Sequence, residues 1–171
     1  KDVSSLSDDE LSEIRNQEIG FIFQGFNLIQ NLTALENVEL PLIYRNVPAA
    51  ERRRLSEESL KRVGLEKRMD HKPTEMSGGQ QQRVAIARAL AAAPPLILAD
   101  EPTGNLDSKS SREIMDILRK LHTEGRTVIL ITHDDKIAQS AKRIIRIMDG
   151  KIESDSGMAD KNSMEEENGE E

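Results

Sequence analysis

The sequence contains no cysteine and no tryptophan, and its only aromatic residues are Phe21, Phe23, Phe26 and Tyr44. Without cysteine the chain has no disulfide and no thiolate chemistry, which fits a reducing compartment. Proteins that bind single-stranded nucleic acid stack the bases on aromatic side chains, and the net charge of -7 is unsuited to a long contact with a phosphate backbone. Nucleic acid is therefore not an expected partner.

Long apolar segments are also absent. The longest nearly apolar run, from Ala89 to Ala99, is broken by Pro94 and Pro95 and is shorter than the roughly 18 to 20 residues that a membrane-spanning helix needs. No secretory signal peptide is visible. The sequence begins with Lys1 instead of methionine, which either processing or truncation would explain.

The length of 171 residues corresponds to one domain, but the charge is unevenly distributed along it. Residues 1–152 contain 23 acidic and 23 basic side chains, whereas residues 153–171 contain eight acidic side chains and only Lys161 as a base. A polar, acidic segment buries too little apolar surface to fold. We therefore predict a folded body over 1–152 and a disordered acidic tail over 153–171.

Strand and helix patterns alternate along the body. Apolar runs predict buried strands over 19–23, 96–99 and 127–131. Capping boxes and helical periodicity predict helices that start near Asp8 and after Thr33, and others over 49–63, 80–93 and 108–122. Pro41 is expected to stop or kink the second helix, and Asp149-Gly150 predicts a hairpin turn. The alternation predicts an α/β fold with a mostly parallel sheet covered by helices on both sides.

Polar side chains stand where each of the three strands ends. Gln24 follows the first strand, Asp100-Glu101 the second, and Thr132-His133 the third. In open parallel sheets, ligands bind beyond the carboxyl ends of the strands. We therefore expect these side chains to converge on one edge of the sheet.

Asp100 and Glu101 are the most informative pair. A carboxylate that leaves an apolar strand is costly unless it is paired or bound to a metal, so a cation is expected beside at least one of them. We favour Asp100 as a ligand of Mg²⁺, directly or through a water, and Glu101 as the group that polarises an attacking water. The alternative is that Asp100 caps a turn and Glu101 lies in solvent.

Two further candidates remain open on the residues alone. Ser77-Gly78-Gly79 precedes the helix expected near Gln80, where free backbone N–H groups and the positive helix end favour an anion. The same residues also fit an ordinary helix start, and Gln80-Gln81-Gln82 fits a plain polar tract. His133 is either catalytic or structural. No Cys/His cluster suggests zinc.

Five segments occur in a fixed order. They are Phe21-Ile22-Phe23-Gln24, Met76-Ser77-Gly78-Gly79-Gln80, Leu96-Ile97-Leu98-Ala99-Asp100-Glu101-Pro102, Gly104-Asn105-Leu106-Asp107 and Ile131-Thr132-His133-Asp134. They resemble the Q-loop, the signature, the Walker B strand with its catalytic glutamate, the D-loop and the switch loop of the nucleotide-binding domain of ATP-binding-cassette (ABC) proteins, with Met76 where leucine is usual. The resemblance implies a P-loop NTPase-like fold, with an inserted helical subdomain over about 25–90.

The resemblance also implies roles for individual residues. Gln24 would reach Mg²⁺ and the attacking water, and His133 would contact the γ-phosphate of ATP. Ser77, Gly78 and Gly79 would bind the ATP held by an opposite subunit, so that a homodimer encloses two nucleotides. Gln80 and Asp107 belong to the same ATP-binding motifs.

The segments 25–38 and 101–108 look most like the lipoprotein-release and macrolide-export branch of the family. That branch implies an ATP-hydrolysing subunit on the cytoplasmic side of the membrane, coupled to a separate or fused permease through the helical subdomain. The branch includes a cell-division member that signals instead of transporting. The other classes considered are a soluble ABC ATPase of translation or DNA repair and a non-catalytic module.

One family element is missing from residues 1–171. No Gly-x-x-x-x-Gly-Lys-Ser/Thr phosphate loop, the Walker A motif, occurs, and Gly150-Lys151-Ile152 lacks both the first glycine and the hydroxyl. We expect that loop, with the N-terminal strands, in sequence that would precede Lys1, and we expect the chain alone to be inactive in ATP hydrolysis. A degenerate, non-hydrolysing domain is the alternative.

Overall fold

Helices and strands alternate in the computed structural model, which describes residues 3–157. In chain order the elements are α1 (Asp8–Glu18), β1 (Ile19–Phe23), α2 (Ala34–Tyr44), α3 (Ala49–Arg62), a short 3-10 helix (Pro73–Glu75), α4 (Gly78–Ala91), β2 (Leu96–Asp100), α5 (Ser108–Thr123), β3 (Thr127–Ile131), α6 (Asp135–Ala138), β4 (Ile145–Met148) and β5 (Lys151–Asp155). The chain divides into two compact units, the first ending at Ile131 and the second starting at Thr132. Within residues 3–157 no helix has the length and apolar character needed to cross a bilayer.

The first unit contains a three-stranded parallel sheet in the order β1-β2-β3. Its register pairs Ile19 with Leu96 at the start of the strands and Phe23 with Asp100 at their ends. Asp100 in turn pairs with Ile131. The predicted parallel sheet is confirmed, and all three carboxyl ends lie at the same edge.

The prediction that β3 is buried is wrong. Ile129 is 45% exposed and Ile131 is 55% exposed, whereas Ile97 and Ala99 in the central strand β2 are fully buried. β3 is an outer strand, which among the described residues pairs only with β2. An apolar run therefore predicted the strand correctly but not its position in the sheet.

Helix α4 lies at the centre of the first unit. It packs against α2, α3, α5 and β1, and apolar side chains are buried around most of its circumference, at Val84, Ala85, Ile86, Ala87, Ala89, Leu90 and Ala91. Full burial of one Val, Leu or Ile side chain contributes roughly 1.5–3 kcal/mol. Helix α4 is therefore covered by its neighbours on more than one face.

The capping boxes predicted at Ser7-Glu10 and Thr33-Glu36 are both present at the starts of α1 and α2. Pro41, however, lies inside α2, which continues to Tyr44. A stop at Pro41, one of the two outcomes expected, therefore does not occur. Proline inside a helix costs about 3 kcal/mol, and the burial of Leu35, Val38 and Leu42 offsets that cost by packing the helix against its neighbours.

The second unit contains the antiparallel hairpin β4-β5. The predicted turn at Asp149-Gly150 is confirmed, and both residues have positive φ angles of 49° and 74°, as a two-residue hairpin turn requires. Arg143 donates two hydrogen bonds to the Asp155 carboxylate, at 2.8 and 2.6 Å, and these, with the Gly157 N–H, lower the pKa of Asp155 to about 2. Strand β5 thus includes the first three residues of the predicted tail, 153–155, whereas residues 158–171 of that tail lie outside the described residues.

Gly20 is a point at which β1 approaches α4 closely. A Cβ atom at Gly20 would lie 2.7 Å from the Ala89 carbonyl oxygen and 2.8 Å from the Ile97 Cδ1 atom. We expect Gly20→Ala to lower the free energy of unfolding by about 1–3 kcal/mol, the usual cost of overpacking a core. Gly25→Ala is the control, because a Cβ there would meet only the Asn27 Oδ1 atom, at 3.4 Å. Urea unfolding measures both variants, and equal midpoints would contradict this close approach.

Candidate functional site

The carboxyl ends of β1 and β2 bring the predicted site residues side by side. Gln24 and Glu101 directly follow Phe23 and Asp100, which are partners in the parallel register. Asp100 is exposed and Glu101 is half-buried. The Glu101 N–H donates a 2.9 Å hydrogen bond to the Ile131 carbonyl. The expected convergence of the β1 and β2 ends is therefore confirmed.

Glu101 has a backbone conformation that is uncommon for a residue with a side chain. Its φ angle is 44°, in the left-handed region that side chains other than glycine disfavour. The turn that follows is held at two points: Gly104 N–H donates to the Glu101 carbonyl at 3.1 Å, and Gln82 Nε2 donates to the Pro102 carbonyl at 2.7 Å. Such strain persists only where surrounding contacts hold it, and it concentrates at functional sites.

The loop after β1 is also held from α4. Phe26 and Asn27 have φ angles of 60° and 51°, and the Arg88 guanidinium donates to their carbonyl oxygens at 2.9 and 2.5 Å. Burial lowers the pKa of Arg88 from its usual value. A guanidinium remains charged in proteins nonetheless, so Arg88 provides charge-assisted hydrogen bonds that fix the loop behind Gln24.

The residues 101–107 form the loop between β2 and α5, and their side chains contact the end of β1. Gln24 Nε2 donates to Asn105 Oδ1 at 3.3 Å, and Asn105 Nδ2 donates to the Gln24 carbonyl at 3.1 Å. Gly104 packs directly on the Gln24 side chain. Gln24 and the loop that starts at Glu101 therefore form one hydrogen-bonded cluster.

Helix α4 begins at Gly78, two residues earlier than predicted, with Ser77 as its N-cap. Ser77 Oγ accepts a hydrogen bond from the Gln80 N–H at 3.3 Å, and Gln80 Oε1 accepts one from the Ser77 N–H at 3.0 Å. This capping box accounts for the early start, and it occupies two of the predicted ATP-binding side chains. The N–H groups of Gly78 and Gly79, in the first turn, have no partner within the helix and are the donors suited to an anion.

The α4 N-terminus packs against the loop 101–107 and the start of α5. A Cβ atom at Gly79 would lie 2.6 Å from Ser110 Oγ, and one at Gly78 would lie 3.5 Å from Leu106 Cδ2. Gly79 thus allows the helix end to approach Ser110 at the start of α5 closely, whereas the contact at Gly78 is an ordinary van der Waals distance. The signature residues and the loop after Glu101 are neighbours within the same unit.

Asp107 acts as the N-cap of α5. Its carboxylate accepts hydrogen bonds from the Lys109 and Ser110 N–H groups, both at 2.9 Å, and from the Ser110 hydroxyl at 2.7 Å. The hydroxyl and these N–H groups lower the pKa of Asp107. Asp107 therefore has a structural role as a helix cap, and its role in binding ATP stays a prediction.

His133 belongs to the second unit, where it is exposed. It lies two residues beyond the end of β3 in the chain, between Thr132 and Asp134. Asp134 caps α6, where its carboxylate accepts from the Lys136 and Ile137 N–H groups. The Asp134 N–H donates to Thr132 Oγ1 at 3.1 Å, so the segment around His133 is a hydrogen-bonded turn.

The side chains at the strand ends fit Mg²⁺ better than a protein-enclosed metal. Over residues 3–157 no three His, Cys, Asp or Glu side chains gather into a metal-binding group. Mg²⁺ usually keeps several waters and takes one or two carboxylates together with substrate phosphates. Asp100 supplies one exposed carboxylate, and the neighbouring strand β1 leads to the Gln24 amide. Together the two groups form a donor set of this kind.

Three positioning groups, Gln82, Arg88 and Asn105, were not predicted as site residues. Gln82 is fully buried, and it lies four and seven residues before the buried Ile86 and Ala89, on the same helical face. A polar residue on the apolar face of a helix was therefore the signal from which a role for Gln82 could have been predicted. Arg88 and Asn105 carried no such signal, because their partners are 61 or more residues away in the chain.

The parallel sheet, the acidic pair at the end of its central strand and the glycine-rich start of α4 are the features expected of an α/β cassette of the P-loop class. The sequence model described as ABC transporter matches residues 2–104. The chain belongs to the ABC transporter ATP-binding family.

Among curated relatives, the chain is 55% identical over 153 residues to an uncharacterized ABC transporter ATP-binding protein of Thermotoga maritima, which covers 90% of this chain and 65% of the relative. It is 53% identical over 157 residues to the macrolide export ATP-binding/permease protein MacB of Hyphomonas neptunium, over 92% of this chain and 24% of MacB. The chain therefore spans about two thirds of the first protein and about a quarter of the second.

Among solved structures, the dimeric ABC transporter cassette MJ0796 of Methanocaldococcus jannaschii superimposes with a TM-score of 0.80 at 53% identity, over 90% of this chain and 68% of that one. A post-hydrolysis dimer of MJ0796 bound to ADP and Pi superimposes with a TM-score of 0.78 at 54% identity, over 89% and 68%. The fold predicted from the resemblance is confirmed.

The cap of α4 generates a stability prediction. Ser77→Ala removes the side-chain acceptor for the Gln80 N–H, and we expect it to lower the free energy of unfolding by about 1 kcal/mol. Ser77→Asp retains a cap acceptor and adds a negative charge that the helix N-terminus favours, so its stability should match that of the wild type. Thermal unfolding of both variants provides the measurement. Equal stability of Ser77→Ala and wild type would contradict the capping role.

Proposed function

We propose that the full-length protein hydrolyses ATP in the presence of Mg²⁺ and that hydrolysis drives a membrane permease. The observation that carries this proposal is the pair Asp100-Glu101 at the end of the central strand, next to Gln24 at the end of β1. The ADP and Pi bound in the MJ0796 relative support it. Positioning and charge neutralisation supply most of the catalysis of phosphoryl transfer. The parallel register of β1 and β2 places these polar groups side by side, as such positioning requires.

Each residue of the site has a chemical task in this proposal. Asp100 and the Gln24 amide oxygen would hold Mg²⁺, which when bound neutralises negative charge on the phosphates. The Glu101 carboxylate orients a water and accepts its proton as the water oxygen attacks the γ-phosphorus. The bond from the γ-phosphorus to the bridging oxygen breaks, and ADP leaves with the bonding electrons. The role of His133, which belongs to the second unit, at the γ-phosphate rests on the family resemblance alone.

A second copy of the chain completes the site in this proposal. The N–H groups of Gly78 and Gly79, with Ser77 and Gln80, bind the γ-phosphate of ATP held by the other subunit. Asp107 lies near these groups, because it caps α5 and Ser110 in the first turn of α5 packs against Gly79. The dimeric state of the MJ0796 cassette supports this assembly.

The partner we propose is a permease, separate or fused, at the cytoplasmic face of the membrane, with export or lipoprotein release as the coupled process. The combined ATP-binding and permease name of the MacB relatives supports it. We assign residues 1–152 to part of the ATPase domain, with 25–90 as its helical subdomain. Ile43 and Tyr44, at the end of α2, are 45% and 76% exposed and provide an apolar contact on that subdomain.

Glu101→Gln in the full-length protein tests the catalytic assignment. An amide cannot accept the proton of the attacking water, so turnover should fall by at least about 100-fold, the lower limit for a lost general base. Affinity for ATP should remain within about twofold, because the substitution preserves the shape of the side chain. Phosphate release and nucleotide binding measure the two quantities. Turnover near that of the wild type would contradict the role of Glu101.

Residues 1–171 on their own serve as the negative control in the same assay. They contain no Gly-x-x-x-x-Gly-Lys-Ser/Thr loop, the element that cradles the phosphates of ATP. We expect no Mg²⁺-dependent phosphate release from this segment. Release at the rate of the full-length protein would show that hydrolysis does not need that loop.

Tyr44→Glu tests the proposed permease contact. A carboxylate at this exposed apolar position should reduce the amount of permease that is purified from membranes with the full-length protein, while ATP turnover without the permease stays unchanged. Ile147→Glu is the control, because Ile147 is similarly exposed, at 69%, but lies on β4 of the second unit. Equal recovery of the permease with both variants would contradict this contact surface. Recovery of a soluble partner in place of a permease would contradict the transport assignment.

A further inference from the structure

We propose that Asn105 is a positioning residue that fixes the orientation of the Gln24 side-chain amide. This inference rests on the proposed function, in which the Gln24 side-chain oxygen is a ligand of Mg²⁺. The two residues are 81 positions apart in the chain, so only the folded structure places them in contact.

Gln24 and Asn105 are joined by two hydrogen bonds, one between their side chains and one from the Asn105 side chain to the Gln24 backbone. Gln24 Nε2 donates to Asn105 Oδ1 at 3.3 Å, and Asn105 Nδ2 donates to the Gln24 main-chain carbonyl at 3.1 Å. Asn105 therefore binds both the side chain and the backbone of Gln24. Two bonds to one residue constrain its position and its direction together.

The pairing decides which end of the Gln24 amide is left for a ligand. An amide side chain has one donor end and one acceptor end. Asn105 Oδ1 can accept a bond only from the donor end, Nε2, so the Gln24 carbonyl oxygen, Oε1, is the end that remains. No side chain or backbone N–H among the described residues donates to Oε1. Oxygen is the ligand atom that Mg²⁺ takes, and this orientation leaves that oxygen available.

Gly104, the residue before Asn105, restricts the same amide from a second direction. A Cβ atom at Gly104 would lie 2.6 Å from Gln24 Nε2 and 3.1 Å from its Cδ. The backbone of Gly104 thus lies directly against the amide, and any larger residue would displace it. Two consecutive residues of the loop 101–107 define where the Gln24 amide lies.

The loop is itself fixed, so it can serve as a rigid support. Gln82 of α4 donates to the Pro102 carbonyl at 2.7 Å, and the Gly104 N–H donates to the Glu101 carbonyl at 3.1 Å. The Leu106 N–H donates to the Thr103 carbonyl, also at 3.1 Å. Through this loop, Asn105 connects Gln24 to Glu101, so that the proposed metal ligand and the proposed base are held in one frame.

Kinetics of the full-length protein test the inference. We expect Asn105→Ala to lower kcat for ATP hydrolysis by about tenfold, the factor that corresponds to one lost hydrogen bond, with KM for ATP within twofold. Gly104→Ala should lower kcat by displacing the same amide sterically. Asn31→Ala is the control, because Asn31 is exposed and lies outside the strand ends and the loop 101–107, and its kcat should equal that of the wild type.

A double variant separates positioning from a general structural effect. If Asn105 acts through Gln24, then Gln24→Ala combined with Asn105→Ala should be no slower than Gln24→Ala alone, because residues that share one interaction are not additive. If the double variant lowers kcat by the product of the two single-variant factors, the inference is overturned. An unchanged kcat in Asn105→Ala would also overturn it.

The NMR resonances of the Gln24 side-chain NH₂ group provide a readout that does not depend on activity. In ¹⁵N-labelled full-length protein these resonances should shift in Asn105→Ala and not in Asn31→Ala. Unshifted resonances in Asn105→Ala would overturn the inference even if kcat fell. A wild-type protein that hydrolyses no ATP would contradict the proposed function, and the resonances would still decide whether Asn105 orients Gln24.

Discussion

The burial of helix α4 is the constraint on which the rest of the first unit depends. The helix is surrounded by α2, α3, α5 and β1, and it can lie so close to the sheet because residue 20 is glycine. Since its apolar side chains fix its rotation, its polar side chains have fixed directions as well. Arg88 holds the loop after β1, and Gln82 holds the loop after β2. One packed helix therefore sets the geometry of both strand ends at which the candidate site lies.

Several side chains of the candidate site also stabilise the local structure. Ser77 and Gln80 form the capping box of α4, and Asp107 caps α5 with three hydrogen bonds. The first turn of α4 lies against the start of α5 because Gly79 permits a close approach to Ser110 that a side chain would obstruct. A residue that fixes the end of a helix also fixes the direction of the N–H groups beside it. The residues proposed to bind ATP therefore also have structural roles in the fold.

Much of this architecture could be predicted from local pattern. The capping boxes at Ser7 and Thr33, the three strands and the Asp149-Gly150 turn depend on neighbouring residues, and all were found where expected. The predictions that failed were those in which distant packing competes with a local preference. Pro41 remains inside α2 because the helix is buried against its neighbours, and β3 is partly exposed because it is an outer strand. An apolar run predicts a strand but carries no information about how many neighbours it has.

The sequence by itself determined the family and the candidate residues, because the motifs around Gln24, Ser77, Asp100 and Glu101 are short contiguous segments whose chemistry can be recognised without a structure. The tertiary structure alone decided how these segments meet. Gln24 and Asn105 are 81 positions apart, and nothing in the intervening sequence marks the two as partners. Likewise, the left-handed backbone of Glu101 follows from contacts with residues far away in the chain. Hydrogen bonds between distant residues form only after the hydrophobic core has fixed the elements that carry them, and for that reason the positioning residues became visible only in the folded protein.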